Sequence, residues 1–576
     1  MSRLAISLTT AGVLLLGLLC PALAQETGRP PYPIVDTGQV RCYSTQSEIA
    51  YPKQGEAFYG QDAQYVANPP RYKDNGDGTV SDLVTGLIWQ KDPGEKKTFR
   101  QAVAGASKCR VGGHDDWRLP TIKELYSLIL FSGTDPDPRS TISGRQKPFI
   151  DASQFLFKYG DASRNERIID SQYATYTRYV STTMRGNETM FGVNFADGRI
   201  KGYPVGAHRG RGEKSYYVMY VRGNADYGKN DFHDNGDGTI TDRATGLIWT
   251  QVDSGHLKAG KKADGRLTWP EALKWAEELT FAGHSDWRLP SVKELQSIVD
   301  YTRSPDTTKS AAIDPIFKVT AIRNEGGKPD APWYWSSTTH AGAFRASAAA
   351  YVAFGRSLGW MQDRRSGRYE LMDVHGAGSQ RSDPKVGDPS QFPRGRGPQG
   401  DVIRIYNHVR CVRGGGATLR MEGPAVEATP GAQEPGRRET ANPFMRREDR
   451  NGDGKVSREE FRGPPDHFNR FDRNKDGYLT EDEAPKGPPP RPASAERPGH
   501  PHPAERRHHH AVPGQGAGTG DAPGTVPDGL RLRRGVSGRL ARCVRAADPG
   551  RRPRRPHPLH PQRRGGGRVG VRPAHP

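Results

Sequence analysis

At 576 residues the chain has room for three or four domains of about 150 residues each, but it is only 34% hydrophobic, and its 69 Gly and 47 Pro make up about a fifth of it, so the folded part is rich in loops and some segments cannot fold. The formal net charge of +20 belongs mainly to residues 486–576, which hold 19 Lys and Arg against 5 Asp and Glu. The rest of the chain is nearly balanced, so a whole-domain basic patch, the usual footprint of a nucleic-acid binder, is not supported, and no nucleic-acid partner is expected for the folded body.

The first 24 residues read as a secretory leader. Arg3 gives a weakly positive start, Leu8–Leu19 is apolar but too short to span a bilayer, and Pro21-Ala22-Leu23-Ala24 places small residues two apart, so cleavage is expected after Ala24. Leu19 is too bulky for the position before a lipidated Cys20. No later apolar run is long enough to cross a membrane, so the mature chain is expected to lack a transmembrane segment and to be secreted, periplasmic or at the cell surface. Residues 25–71 lead in to the first repeat. The body cysteines Cys42, Cys109 and Cys411 are odd in number and cannot all pair with one another. No CxxC or Cys/His cluster points to zinc.

An internal repeat dominates the organisation. Residues 74–89, DNGDGTVSDLVTGLIW, return at 234–249 as DNGDGTITDRATGLIW; GHDDWRLPTIKEL at 113–125 returns at 283–295 as GHSDWRLPSVKEL. About ten extra residues separate the two blocks in the second copy. Val180-Ser-Thr-Thr183 answers Ser336-Ser-Thr-Thr339, and Tyr220-Val-Arg-Gly223 answers Cys411-Val-Arg-Gly414. The copies are bounded at 72–224 and 232–415, too long for solenoid units and suited to two whole domains. Each DNGDGT reads as a tight turn between short strands, leading to buried Leu87-Ile88-Trp89 and Leu247-Ile248-Trp249. A helix is predicted over Trp269–Leu279, with Trp269, Leu273, Ala276 and Leu279 on one face and Pro270 in the first turn. Another begins after Pro120 and Pro290, with Leu125, Ile129, Leu295 and Val299 inward. Copy two has an extra loop near residues 363–400. The fold class expected is α+β.

Several repeated polar residues could touch a ligand, but a bland role is preferred for each. Asp116, Arg118, Asp286 and Arg288 are expected to hold a Trp-flanked turn. Asp74, Asp77, Asp234 and Asp237 are turn residues, and Trp333 and Trp335 are core. His114 and His284 read as surface or capped residues. No G-x-S-x-G, Walker or H-E-x-x-H pattern is present, so the chain is not expected to be an enzyme.

Residues 416–441 form a Gly-, Pro- and Glu-rich linker. Within 442–485, Asp449, Asn451, Asp453, Lys455 and Glu460 take positions 1, 3, 5, 7 and 12 of a twelve-residue EF-hand loop, with Gly454 at the bend and Ser457 at position 9. Asp472, Asn474, Asp476, Tyr478 and Glu483 repeat the pattern 23 residues later, with Gly477 and Thr480. This spacing wraps hard oxygen donors, including the Lys455 and Tyr478 main-chain carbonyls, around Ca2+, which takes six to eight oxygens. Val456 and Leu479, in the eighth positions, are expected to join the loops in a two-stranded ribbon. Gly463-Pro464-Pro465 shortens the linking helix, and Arg450, Arg473 and Lys475 offset carboxylate charge, so weak affinity is expected. Residues 486–576, including the run Arg506-Arg-His-His-His510, are expected to be a disordered basic tail. Arg531–Pro576 has the composition of a GC-rich gene read in a shifted frame.

The blocks DNGDGT…TGLIW and GH.DWRLP..KEL and the closing VRCVRG resemble the Lcl C-terminal domain, a family of unknown function named after a collagen-like bacterial adhesin. The resemblance covers roughly residues 32–415, and Asp36–Cys42 and Gly55–Gly60 look like the lead-in of tandem members. It implies an exported protein and, by analogy with an adhesin member, a sulfated polysaccharide as partner. The Trp-Arg-Leu-Pro block also looks like C-type-lectin-like and formylglycine-generating folds; the latter would need a cysteine pair that neither copy contains. Cys109 occurs only in copy one and Cys411 only in copy two, which leaves a bond between the copies open. The C-terminal module resembles the paired EF-hands of exported bacterial proteins, a small all-α unit. The expectation is an exported calcium-binding protein with tandem lectin-like domains for a polysaccharide. Its rivals are a structural envelope protein stiffened by calcium and a carbohydrate-active enzyme.

Overall fold

The computed structural model describes residues 32–138, 146–207, 212–342, 345–363, 366–426, 443–449 and 455–485. The leader and the basic tail lie outside them, as do Asn451 and Asp453. Among the described residues no helix is long and apolar enough to cross a membrane.

Copy one begins with strands β1 (Tyr72–Asp74), β2 (Thr79–Asp82) and β3 (Leu87–Gln90), followed by helices α1 (Phe99–Ala106) and α2 (Ile122–Tyr126). It continues with β4 (Gln172–Thr183), β5 (Asn187–Asn194), β6 (Arg199–Pro204) and β7 (Val221–Gly223). Copy two repeats the plan with β8 (Phe232–Asp234), β9 (Thr239–Asp242), β10 (Leu247–Thr250), α3 (Trp269–Glu278) and α4 (Val292–Ser297). Then come β11 (Trp333–His340), β12 (Ala348–Ala353), β13 (Leu358–Gln362), β14 (Tyr369–Asp373), β15 (Gln380–Pro384) and β16 (Val412–Gly414). The architecture is β-rich, with few and short helices, so the α+β expectation holds in that coarser form.

The DNGDGT turn works as expected. Asp77 Oδ1 accepts from the Thr79 amide at 2.9 Å and its hydroxyl at 2.6 Å, Gly76 donates to Asp74, and Gly76 and Gly78 take positive φ. Asp237 and Thr239 repeat these contacts at the same distances. Each hairpin is closed into a four-stranded sheet by its own copy's VRG strand, in the orders β7-β3-β2-β1 and β8-β9-β10-β16. Leu87 and Trp89, like Leu247 and Trp249, are buried, while Ile88 and Ile248 between them face the other side and are half-buried.

Helix α3 stops one residue short of the expected span, and Trp269, Leu273 and Ala276 are buried. Helices α2 and α4 begin after Pro120 and Pro290 with capping boxes, Thr121 with Glu124 and Ser291 with Glu294. Leu125, Ile129, Leu295 and Val299 all point into the core.

The two copies share one six-stranded antiparallel sheet, in the order β11-β12-β15-β6-β5-β4, joined where β6 meets β15 at Ile200 and Gln380. A loop was the expectation for residues 363–400, yet β14 and β15 lie there. Their polar sequence hides the strand because β15 is buried by pairing rather than by apolar packing. Arg199, next to the seam, forms a bidentate pair with Asp135 at 2.6 and 2.7 Å and donates to Ser382 at 3.0 Å. Arg381 binds Asp401, which also meets His375 at 2.9 Å. One core runs through both copies and brings Phe191 against Tyr301 at 4.8 Å between ring centres.

The lead-in ties the copies further. Gln39 donates to Phe131 O and Thr339 O and accepts from the Thr339 amide, and Tyr65–Val66 pairs with Thr418–Leu419. Cys42, Cys109 and Cys411 are unbonded, so the pairing left open between the copies is not formed. Burial pushes the Cys42 thiol up to about 12.

The C-terminal module holds α5 (Pro443–Glu448), β17 (Val456–Ser457), α6 (Pro465–Phe471) and β18 (Tyr478–Leu479) around Phe444, Met445, Val456, Phe468 and Leu479. It is not purely helical: the expected ribbon forms, with Val456 opposite Leu479 and Ser457 opposite Tyr478.

Candidate functional site

The repeated polar blocks are spent on the scaffold. Asp116 accepts from Arg222 at 2.6 Å and Asp286 from Arg413 at 2.7 Å, so each ties the Trp turn to the VRG strand of its own copy. Arg288 is bidentate to Glu294 at 2.6 and 2.7 Å, and Arg118 pairs with Glu124. The turn network expected for Asp116, Arg118, Asp286 and Arg288 exists, but its partners are residues that sequence reasoning did not single out. The exact recurrence of KEL and VRG in both copies was the signal available for them.

The KEL lysines are exchanged between copies. Lys123 of α2 donates to Ser297 O at 2.6 Å, at the end of α4, and Lys293 of α4 donates to Ser127 O at 2.8 Å, just past α2. Each cation thus satisfies a helix-end carbonyl of the other copy. Burial pulls Lys123 down to about 8 and Lys293 to about 7. Trp333 and Trp335 are core: their indole N–H groups donate to Arg356 O and Leu267 O, both at 2.9 Å. His114 and His284 are half-buried beside the Trp turns.

In the second EF-type loop, Asp472 follows α6 and Oδ2 accepts from the Gly477 amide at 3.1 Å. Asn474 Oδ1 accepts from Asp476 N and Asp476 Oδ1 from Tyr478 N, both at 2.9 Å. Lys475 and Gly477 take positive φ, which makes the bend. Glu483, at position 12, reaches back to the Arg473 and Asn474 amides at 3.1 and 3.2 Å and closes the loop. Its carboxyl is held below the usual range, first by the Thr480 amide. Asp472 Oδ1 is buried and has no hydrogen-bond partner. Tyr478 is exposed and places its ring 5.4 Å from Lys455 Nζ.

In the first loop, Asp449 follows α5 and Lys455 precedes the ribbon. Glu460 Oε2 accepts from the Ser457 amide and hydroxyl at 2.9 and 2.8 Å, the same contacts that Glu483 makes with Thr480. Among the described residues no three His, Cys, Asp or Glu side chains are gathered tightly enough to hold a metal ion; in the second loop the side-chain oxygens accept from main-chain amides. The donor set nevertheless fits a hard cation: Asp472 keeps one oxygen unspent, and Glu483 already lies over positions 2 and 3.

A second feature belongs to copy two. A groove of about 840 Å³ is lined by Trp333, Trp360, Phe392, Arg323 and Arg404, among others. It shares Asp264, Arg266, Pro389 and Tyr406 with a chamber of about 430 Å³ bordered by Lys261 and Lys262. Arg404 is bound to Glu325 at 2.8 Å and lies 3.7 Å over the Trp333 ring. Arg266 is bound to Asp264 at 2.7 Å.

The family model for the Lcl C-terminal domain matches residues 78–222 and again residues 238–373. The chain carries two tandem Lcl C-terminal domains. The second match ends before β15, so the seam strand and the return that follows it lie beyond the matched span. No curated protein and no solved structure matches the chain.

Proposed function

We propose that this is an exported calcium-binding protein. It holds Ca2+ in the loops 449–460 and 472–483, and its tandem Lcl C-terminal domains bind an extracellular or envelope polysaccharide in a lectin-like role. The observation that carries the calcium reading is the second loop's geometry: Asp472, Asn474, Asp476 and Glu483 sit on one bend, with a buried Asp472 oxygen that has no other partner. Bound calcium would draw these oxygens off their amide donors and satisfy Asp472 Oδ1. Positive side chains in the loop, Arg473 and Lys475, favour an affinity in the range of about 10⁻⁴–10⁻³ M typical of extracellular modules. The leader-like start of the chain and the resemblance to an adhesin family support export and the polysaccharide role.

Terbium luminescence of the full chain tests the metal sites, because Tyr478 lies in the second loop at the position whose carbonyl would ligate. Excitation of tyrosine is expected to sensitise bound Tb3+, and calcium to quench the signal by competition. Glu483→Gln is expected to weaken calcium at least tenfold, about 1.4 kcal/mol. Absence of any sensitised, calcium-competed signal at millimolar metal would end the calcium reading.

A further inference from the structure

Much of the groove is built from additions that copy two has and copy one lacks, completed by Thr320–Arg323 and Glu325 from the connection between α4 and β11, by Trp333 of β11 and by Asn407 and His408. Between β3 and α1 copy one uses residues 91–98; between β10 and α3 copy two uses residues 251–268. The return toward the VRG strand is also longer. In copy one Lys97–Thr98 pairs with Ser215–Tyr216; the matching pair in copy two is Leu267 and Asn407, bonded both ways at 2.9 and 3.0 Å. From the last sheet strand to that pair, copy one runs through residues 205–214 and copy two through 385–406. The two insertions therefore leave the scaffold at the same pair and must rise side by side. The β13–β14 hairpin, a third addition, closes on them through the Trp360 amide, which donates to Gly400 O at 2.8 Å.

The lining separates into spent and unspent groups. Arg404 and Arg266 are neutralised by Glu325 and Asp264. Lys261, Lys262 and Arg323 are exposed and form no ion pair among the described residues. Half-buried Trp360 and Phe392 offer flat apolar surface in the groove with Arg323, while Lys261 and Lys262 border the chamber that shares Asp264, Arg266, Pro389 and Tyr406 with it. Asn407 Oδ1 and His408 Nε2, in residues that lie at the base, are buried without hydrogen-bond partners. A volume of this size suits a ligand of a few sugar rings. Aromatic faces receive the C–H face of a pyranose, and unpaired cations require an anionic substituent.

We infer that the copy-two groove is the polysaccharide site and that its occupant is an acidic saccharide. A sugar ring lies on Trp360 and Phe392, and successive carboxylates or sulfates meet Arg323 in the groove and Lys261 and Lys262 at the adjoining chamber. Copy one, without the three insertions, is the scaffold that completes the shared sheet. The inference rests on the polysaccharide reading above.

The test is calorimetric binding of the full chain at physiological salt to heparin, polygalacturonate and neutral dextran. The first two arms separate sulfate from carboxylate. Binding of either acidic polymer and not of dextran is expected. The triple variant Lys261→Ala, Lys262→Ala, Arg323→Ala should weaken it at least tenfold, and Trp360→Ala should do the same if it folds. A control triple on exposed copy-one cations, Lys73→Ala, Lys108→Ala, Arg110→Ala, should change affinity less than twofold. Unchanged binding by the groove triple, equal loss in the control, or tight dextran binding overturns the groove assignment while leaving a polysaccharide role standing. Failure of the unaltered chain to bind any of the three polymers removes the polysaccharide reading itself.

Discussion

Copy one and copy two share a turn, a Trp-Arg-Leu-Pro segment, a capped helix and a closing Val-Arg-Gly strand, and the hydrogen bonds of the two hairpin turns agree within 0.1 Å. They part where the chain is free to lengthen: residues 251–268 against 91–98, 385–406 against 205–214, and the β13–β14 hairpin. Repeated residues such as Asp116, Glu124 and Lys123 are consumed by ion pairs and helix ends, whereas unrepeated ones such as Arg323, Trp360 and Phe392 surround a groove. Within one chain, recurrence therefore marks scaffold, and the departures from recurrence mark where a ligand can be met.

The sharpest way to break that comparison is at the Arg–Glu pair found in both copies. Arg288 is almost fully buried, bidentate to Glu294 and stacked 5.1 Å from the Tyr65 ring. Arg118 is 34% exposed beside a buried Glu124. Arg288→Ala strands a carboxylate out of water and is expected to cost about 3–5 kcal/mol in urea unfolding. Arg118→Ala is expected to cost about 1–3 kcal/mol, since water reaches the vacated side. Equal losses would show that solvent access does not separate the two sites.

A pH profile sharpens the role of the lead-in. Burial pushes Asp62 up to about 7, although the Thr338 and Thr37 hydroxyls pull the other way. A raised carboxyl favours the folded state fully below its unfolded value near 3.8, and that contribution is lost as pH rises through 7. Asp62→Asn imitates the protonated form. Its stability relative to the parent is therefore expected to rise between pH 4 and pH 7 and level off above, by roughly 2–4 kcal/mol in all. A difference that stays flat across this window would show that Asp62 is ionised in the folded protein.

Much of this was legible because local rules and tertiary demands agree. The DNGDGT turns, the capped helices after Pro120 and Pro290, the face of α3 and the Val456–Leu479 ribbon each follow from residue type and spacing. Strand β15 was not legible, because its polar residues find their partners far along the chain: Arg381 binds Asp401, Asp383 accepts from the Arg404 amide, and Arg199 of the other copy donates to Ser382. The lysine exchange was hidden for the same reason: a lysine on an amphipathic helix reads as solvated until a neighbouring helix end is brought to it. The groove could be anticipated only as two unexplained insertions. That both spring from the Leu267–Asn407 pair is a fact of topology, not of composition.

The smallest expected effect is the most stringent check on the equivalence of the two copies. Asp77 and Asp237 each accept from the following Thr amide and hydroxyl at 2.9 and 2.6 Å, and both lie at the solvent edge of their hairpins. If these carboxylates serve only their turns, Asp77→Ala and Asp237→Ala lower the urea midpoint slightly and by the same amount, because each leaves the same two donors to be satisfied by water. Neither should alter calcium or polysaccharide binding. A larger loss at Asp237, or a binding change from that variant alone, would mean that the copy-two turn takes part in the site and that recurrence does not separate scaffold from function.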